Sequence, residues 1–82
     1  MLVRSLDYFW TKYDRLEKRV EDLKLINVSK EDLKEADECL SNLYTTIYIY
    51  NENQDEYFSD VTSTCLKYVT RDIRKLESKY NK

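Results

Sequence analysis

The chain has 82 residues and contains neither glycine nor proline. Tight turns and sheet corners depend on glycine for positive φ and on proline for a preset φ, so a fold with many sharp corners is disfavoured. Long helices joined by short polar links suit such a chain best. A glycine-rich phosphate loop and a strained nucleophile turn are excluded for the same reason, which removes two common routes to enzymatic activity.

Length and hydropathy predict one domain that spans residues 1–82 and does not enter a membrane. Hydrophobic residues make up 41% of the chain and charged residues 37%, and no apolar run approaches the roughly 20 residues of a bilayer span. Acids and bases interrupt the apolar residues of the N-terminus, which argues against a signal peptide. We therefore expect a cytoplasmic protein, or one of the host cytoplasm or virion if the chain is viral. Its bias toward Lys, Asn, Tyr and Ile is typical of AT-rich viral and mobile-element genomes.

The residue types that enzymes and metal sites use most often are scarce. The chain has no histidine, which is the usual general base and the commonest metal ligand. Its two cysteines lack the spacing of a zinc site. Glu31, Glu35 and Glu38 share a helix face, but di-iron bundles pair glutamate with histidine, so we interpret these acids as exposed surface. We expect no catalytic residues, no metal, no cofactor and no small-molecule substrate.

Apolar residues recur at steps of three and four in three successive segments, which is the spacing of buried positions in packed helices. They are Leu2, Leu6, Phe9, Tyr13, Leu16, Val20 and Leu23, then Leu33, Ala36, Leu40, Leu43, Ile47 and Tyr50, and finally Phe58, Val61, Cys65, Val69, Ile73, Leu76 and Tyr80. The spacing predicts helices over about 2–26, 30–51 and 55–80. Matched lengths and short links predict an all-α fold, an antiparallel three-helix bundle with coiled-coil-like packing that dimerisation could complete.

The links between the segments contain residues suited to helix ends. Ser29 is predicted to cap the second helix, because its side chain can accept hydrogen bonds from unpaired backbone amides. Asn53 is able to take a left-handed conformation in place of glycine where that helix ends. Residues 45–50 are β-branched and aromatic, with the alternation of a strand. We predict a helix there because a lone strand has no partner within the chain; a strand remains the alternative if two molecules pair.

Several apolar or aromatic residues, Val3 and Leu66 among them, lie outside the predicted buried positions and extend the apolar faces of the helices, and five of these are the candidates for an interface. They are Trp10, Tyr44, Tyr48, Ile49 and Tyr57. Because large aromatic side chains are favoured at protein interfaces, we predict that these residues form an interaction surface. The leading hypothesis is a non-enzymatic adaptor, scaffold or regulator that acts by protein–protein contact, with itself as a homo-oligomer, with another protein, or with both.

Charge is distributed unevenly along a chain whose net charge is −2. Residues 1–30 sum to +2, residues 31–60 to −8 and residues 61–82 to +4. Bases of the last segment recur at steps of three and four, and they are Lys67, Arg71, Arg74, Lys75, Lys79 and Lys82. Such a stripe suits a nucleic-acid backbone or an acidic partner, so a nucleic-acid-binding accessory protein is the alternative function. A solvated face paired with the acidic middle segment is the simpler interpretation, favoured by a pI of about 5.1.

The two cysteines lie at similar distances from the second link, with Cys39 fourteen residues before Asn53 and Cys65 twelve after it. In an antiparallel helix pair they should sit at similar heights, so a disulfide between them is geometrically conceivable. Reduced thiols that pack as small hydrophobic side chains are the simpler interpretation for a cytosolic chain.

Overall fold

The computed structural model describes residues 4–80, which form three helices that each pack against both of the others. They are α1 (Leu6–Lys24), α2 (Lys30–Glu52) and α3 (Glu56–Tyr80). Short links join them, so neighbouring helices run antiparallel. The bundle measures 41 × 19 × 17 Å. The predicted all-α three-helix bundle is confirmed, and residues 45–50, with their strand-like composition, are helical within α2.

Helix α1 begins later than its hydrophobic pattern indicates. The predicted start near residue 2 is wrong, because Ser5 is extended (φ −68°, ψ 151°) and Leu6 is the first helical residue. The Ser5 hydroxyl accepts a hydrogen bond from the backbone N–H of Tyr8 at 3.2 Å, which satisfies a donor that the first helical turn leaves unpaired. Leu2, which the pattern places among the buried residues, lies outside the described part of the chain.

Polar side chains also fix the starts of the other two helices. The Ser29 hydroxyl accepts from the backbone N–H of Asp32 at 3.2 Å, which confirms the predicted cap of α2. Asp55 has the same role for α3, where its Oδ1 accepts from the backbone N–H of Phe58 at 2.9 Å. Asn53 does not use the left-handed conformation that it is able to take. Its φ is −137°, and its backbone N–H donates to two carbonyls of the last turn of α2.

The core follows the predicted spacing along α1 and α2. Phe9 and Tyr50 close one end of the bundle, where their rings meet edge to face with centroids 5.3 Å apart. The buried apolar residues of these two helices are Phe9, Leu16, Val20, Leu23, Ala36, Leu40, Leu43, Ile47 and Tyr50. The sequence pattern predicts all of them. Each buried Leu, Val, Ile or Phe side chain among them contributes roughly 1.5–3 kcal/mol of transfer free energy when it leaves water.

The first half of α3 buries polar residues instead of the predicted apolar ones. Ser59 and Thr62 are buried, whereas Val61 is 39% exposed and Phe58 only half-buried. Both hydroxyls find partners inside the protein: Thr62 Oγ1 donates to the carbonyl of Phe58 at 2.7 Å, and Ser59 Oγ accepts from the backbone N–H of Arg4 at 3.1 Å. Burial therefore leaves neither hydroxyl unsatisfied, which removes the main cost of placing them in the core.

Candidate functional site

A basic groove runs between α1 and α3 along one side of the bundle. Its volume is about 720 Å³, and buried Leu16 and half-buried Leu66 lie at its floor. Seven basic residues line it: Arg4, Lys12, Arg15, Arg19, Lys67, Arg71 and Arg74. Within residues 4–80, the lining includes no aspartate or glutamate. We call this region the basic groove.

Helical periodicity explains how two helices supply bases to one groove. Residues three and four apart lie on the same face of a helix, so Lys12, Arg15 and Arg19 form one row on α1. Lys67 and Arg74 belong to a second row on α3, and the two rows line the same groove. Sequence reasoning missed the α1 row because acids separate its members along the chain, although their three- and four-residue steps were visible.

Most of the bases in the groove have no carboxylate partner. Arg19 is the exception on α1: its Nε donates to Glu77 Oε2 at 3.0 Å, and Nη2 contacts Oε1. That hydrogen bonding raises the pKa of Arg19 and lowers the pKa of Glu77. On α3, Arg71 lies 3.7 Å from the carboxylate of Asp72. Within residues 4–80, no carboxylate oxygen lies within 4.0 Å of the cationic groups of the other five, which are Arg4, Lys12, Arg15, Lys67 and Arg74.

Two tyrosine rings stand among these bases. The guanidinium of Arg4 lies 4.5 Å from the ring centre of Tyr8, and the ammonium of Lys12 lies 5.6 Å from the same ring. On the α3 wall, the guanidinium of Arg71 lies 4.9 Å from the ring centre of Tyr68. Attraction between a cation and the face of a ring holds these side chains beside the groove. The Tyr68 ring remains 51% exposed, so it is available to a ligand.

Arg4 belongs to the groove because the core holds the residue that precedes α1. The Tyr50 hydroxyl donates to the backbone carbonyl of Arg4, and the backbone N–H of Arg4 donates to Ser59 Oγ at 3.1 Å. Both partners are buried. Helices α2 and α3 therefore fix the position of a non-helical residue at the head of the basic groove. The sequence contains no pattern that indicates this contact, because the three residues lie far apart in the chain.

The predicted basic stripe of α3 is divided in the structure. Lys67, Arg71 and Arg74 line the basic groove, whereas Lys75 does not. Lys79 turns toward α2 and pairs with Asp32, with 2.9 Å between Nζ and Oδ2. The Asp32 carboxylate also accepts from the Tyr80 hydroxyl, and these hydrogen bonds, led by that from Tyr80, lower the pKa of Asp32. Lys82 lies outside the described residues.

The predicted interaction surface is also divided. The rings of Trp10 and Tyr44 touch, with centroids 5.2 Å apart, and Tyr48 lies one helical turn beyond Tyr44. Tyr44 is 47% exposed and Tyr48 is 54% exposed. Ile49 points about 100° away from Tyr48 around α2. Tyr57 is exposed at the start of α3, where it packs edge to face on the neighbouring Phe58.

A smaller second groove lies between α1 and α2, next to the Trp10–Tyr44 contact. Its volume is about 280 Å³, and its lining includes Tyr13, Tyr44, three acids (Glu17, Glu21 and Asp37) and one base, Lys24. The Tyr13 hydroxyl donates to Glu17 Oε2 at 3.3 Å. Burial, followed by the negative charge of Glu17, raises the pKa of Tyr13. We call this region the acidic groove.

Cys39 and Cys65 are free thiols, both half-buried. Cys39 Sγ lies 3.9 Å from Asp72 Oδ2. Burial raises the pKa of Cys39, and the negative charges of Asp72 and Glu35 raise it further. Because the thiolate is the reactive form, these surroundings make Cys39 less reactive than an exposed cysteine. The disulfide between the two residues stays a prediction.

No cluster of three or more potential ligands among Asp, Glu and Cys within residues 4–80 is arranged to hold a metal ion. No helix in the same range combines the length and apolar character needed to cross a membrane. Comparisons with protein-family models, with curated proteins and with solved structures found no significant match.

Proposed function

We propose that this protein is a non-enzymatic binding module whose basic groove holds an extended polyanion. The observation that carries the proposal is the lining of the groove, in which six bases from two helices and the non-helical Arg4 meet without a carboxylate among them. A groove lined by charge of one sign concentrates the electric field and attracts ligands of the opposite charge. Binding of a polyanion by such bases also releases its condensed counterions, which is favourable at low salt.

The net charge of −2 does not conflict with this function, because the charges are separated by position. Five of the seven bases in the groove lack a carboxylate within salt-bridge distance in the described part of the chain. Much of the acidic charge belongs to α2, which supplies no residue to the groove lining. A polyanion that approaches α1 and α3 therefore meets local positive charge, while the acidic side orients the molecule by repulsion.

Charge reversal in the groove tests the proposal. The variant combines Lys67→Glu, Arg71→Glu and Arg74→Glu, and the matched control combines Lys18→Glu, Lys34→Glu and Lys75→Glu at bases outside the lining. Both sets change the net charge equally. We expect the groove variant to lose at least about a hundredfold in affinity for a labelled heparin oligosaccharide at 50 mM salt, and the control to lose far less. Equal losses, or no binding by the native chain, would contradict the proposal.

A second candidate function is protein–protein contact, with self-association as its simplest form. The favouring observation is the strip formed by Trp10, Tyr44 and Tyr48, whose tyrosines are about half exposed. Aromatic rings of this kind supply contact area at low conformational cost. Coiled-coil-like packing of a second copy along this strip would complete the bundle. Light scattering after size exclusion tests it: a clean monomer at high micromolar concentration removes self-association.

The cellular setting is part of the proposal. The cytoplasm, or the cytoplasm of a host cell, is a compartment in which reduced cysteines and abundant polyanions coexist. The Lys-, Asn-, Tyr- and Ile-rich composition supports a viral or mobile-element origin. Imaging of the tagged chain in its native cell, with the compartments labelled, would test this location.

A further inference from the structure

We infer that the polyanion held by the basic groove is single-stranded nucleic acid, bound by its backbone with bases stacked on tyrosine. The inference rests on the proposed function of the groove and adds the class of ligand. Three features of the described residues carry it: the recessed shape of the site, the spacing of its charges, and the exposed aromatic ring on its α3 wall.

The shape favours one strand over two. Proteins read a duplex by inserting a protruding helix or ribbon into its major groove, which is about 12 Å wide. Here the basic side chains face a recess between two packed helices, with Leu16 and Leu66 at its floor. Packed helix axes lie about 8–10 Å apart, so basic side chains on α1 and α3 can contact the two sides of one strand laid between them. A single strand that lies along the groove reaches the basic side chains of both walls.

The spacing of the charges matches a nucleic-acid strand. From Tyr8 to Arg19 the α1 wall extends over eleven helical steps, or about 17 Å. One strand of a stacked nucleic acid carries a phosphate about every 3.4 Å, so about five nucleotides fit along this wall. Lys12 and Arg15 lie within the wall, and Lys67 faces them from α3. Alternate phosphates can therefore contact opposite walls.

The exposed tyrosine distinguishes nucleic acid from other polyanions. Proteins that bind single strands combine a track of basic residues with aromatic rings on which the nucleobases stack. Tyr68 is half exposed beside Arg71, whose guanidinium lies 4.9 Å from the ring centre. An acidic helix from a partner protein would need apolar anchors instead. Among the described residues, the aliphatic side chains that line the groove are Leu16, which is buried, and Leu66, which is half-buried, so it offers few anchors for such a helix.

The test compares three labelled probes of equal length by fluorescence anisotropy at 50 mM salt: a thymidine 12-mer, a 12-base-pair duplex and a 12-residue glutamate peptide. We expect the thymidine 12-mer to bind at least about tenfold more tightly than the other two. With about five phosphates contacted, the slope of log affinity against log salt should be about −3.5.

Substitution at Tyr68 separates stacking from charge. Tyr68→Leu should weaken binding of the thymidine 12-mer about tenfold, as expected when one base loses its stacking partner. Tyr68→Phe keeps the ring and should restore affinity. Tyr57→Leu, at an exposed tyrosine of the same helix outside the groove, should change affinity less than about twofold. Far-UV circular dichroism of each variant checks that the bundle is intact.

The outcomes separate this inference from the proposed function. If the duplex or the glutamate peptide binds as tightly as the thymidine 12-mer, the groove is a general polyanion site and the single-strand inference is wrong. The same conclusion follows if Tyr68→Leu leaves affinity unchanged while reversal of Lys67, Arg71 and Arg74 abolishes it. If none of the probes, heparin included, binds the native chain, the proposed function fails, and the inference fails with it.

Discussion

The basic and acidic grooves share α1 as a wall, yet they carry opposite charge. Helix α1 presents Lys12 and Arg15 to the groove that it forms with α3, and Glu17 and Glu21 to the groove that it forms with α2. These acids and bases alternate closely along the sequence, so the segment has almost no net charge. The bundle separates them because residues three or four apart share a helix face.

This difference shows that one helix of a small bundle can have three distinct faces: one buried, one basic and one acidic. Leu16 and Val20 supply the buried face of α1, and the two charged faces flank it on either side. Net charge or pI averages these faces and hides the site. A protein with an acidic pI can therefore have a basic binding surface, provided that its basic and acidic side chains line grooves between different pairs of helices.

The largest expected effect distinguishes the tyrosines that support the two grooves. Tyr50 is fully buried and its hydroxyl holds Arg4 at the head of the basic groove, whereas Tyr44 is half exposed beside the acidic groove. We expect Tyr50→Ala to lower the free energy of unfolding by about 3–5 kcal/mol, as for other large buried aromatic residues. Tyr44→Ala should cost about 1 kcal/mol. Urea denaturation measures both, and equal costs would contradict the assignment of Tyr50 as the structural anchor.

A smaller effect is expected at one ion pair near each groove. Arg19 of the basic groove pairs with Glu77, which lies outside the groove lining, and this pair is partly buried. Lys24 and Asp37 both line the acidic groove, and their pair is more exposed. At neutral pH, Glu77→Gln should lower the free energy of unfolding by about 0.5–1 kcal/mol and Lys24→Met by less. Thermal denaturation of the two variants measures these losses of stability. A larger loss for Lys24→Met than for Glu77→Gln would contradict the prediction.

The Arg19–Glu77 pair also predicts a pH dependence. Hydrogen bonding to Arg19 lowers the pKa of Glu77 below its ordinary value of 4.5. The folded state therefore binds this proton less readily than the unfolded state, and the pair contributes stability above about pH 4.5 that is lost as the pH falls through the lowered pKa. The native chain and Glu77→Gln should converge in stability in strong acid. A difference that persists at low pH would show that the charge of Glu77 is not responsible.

The smallest effect concerns the α2–α3 interface, which provides a reference outside both grooves. Burial and the nearby carboxylates raise the pKa of Cys39, so its thiolate is scarce at neutral pH. In a Cys65→Ser background, iodoacetamide should modify Cys39 several-fold more slowly in the folded protein than in urea. Equal rates would show that the thiol is as accessible and as acidic as in the unfolded chain. Thiol counts after mild oxidation of the native chain would test the predicted disulfide.

Hydrophobic spacing predicts most of this fold because it reports directly on helix faces. Along α1 and α2 it identifies the buried residues, from Phe9 to Tyr50, and it outweighs the strand-like composition of residues 45–50. It is wrong in the first half of α3, where hydrogen-bonded Ser59 and Thr62 occupy the core. A pattern based on polarity cannot recognise a hydroxyl whose partner is supplied by the tertiary structure.

The site is less predictable than the fold because two helices and a non-helical residue create it together. The spacing of Lys67, Arg71 and Arg74 identifies the α3 wall from the sequence alone. The matching wall on α1 requires knowledge of which face of α1 turns toward α3. The contribution of Arg4 depends on contacts with Tyr50 and Ser59, which lie more than forty residues away in the chain.

The most direct test of the central claim is a nuclear magnetic resonance titration of the ¹⁵N-labelled chain with the thymidine 12-mer. If the basic groove is the binding site, the largest amide shift changes will map to Lys12, Arg15, Lys67 and Tyr68, on both walls of the groove. Tyr13 and other residues of the acidic groove will change little. Changes centred on the acidic groove, or spread evenly over the surface, would contradict the account.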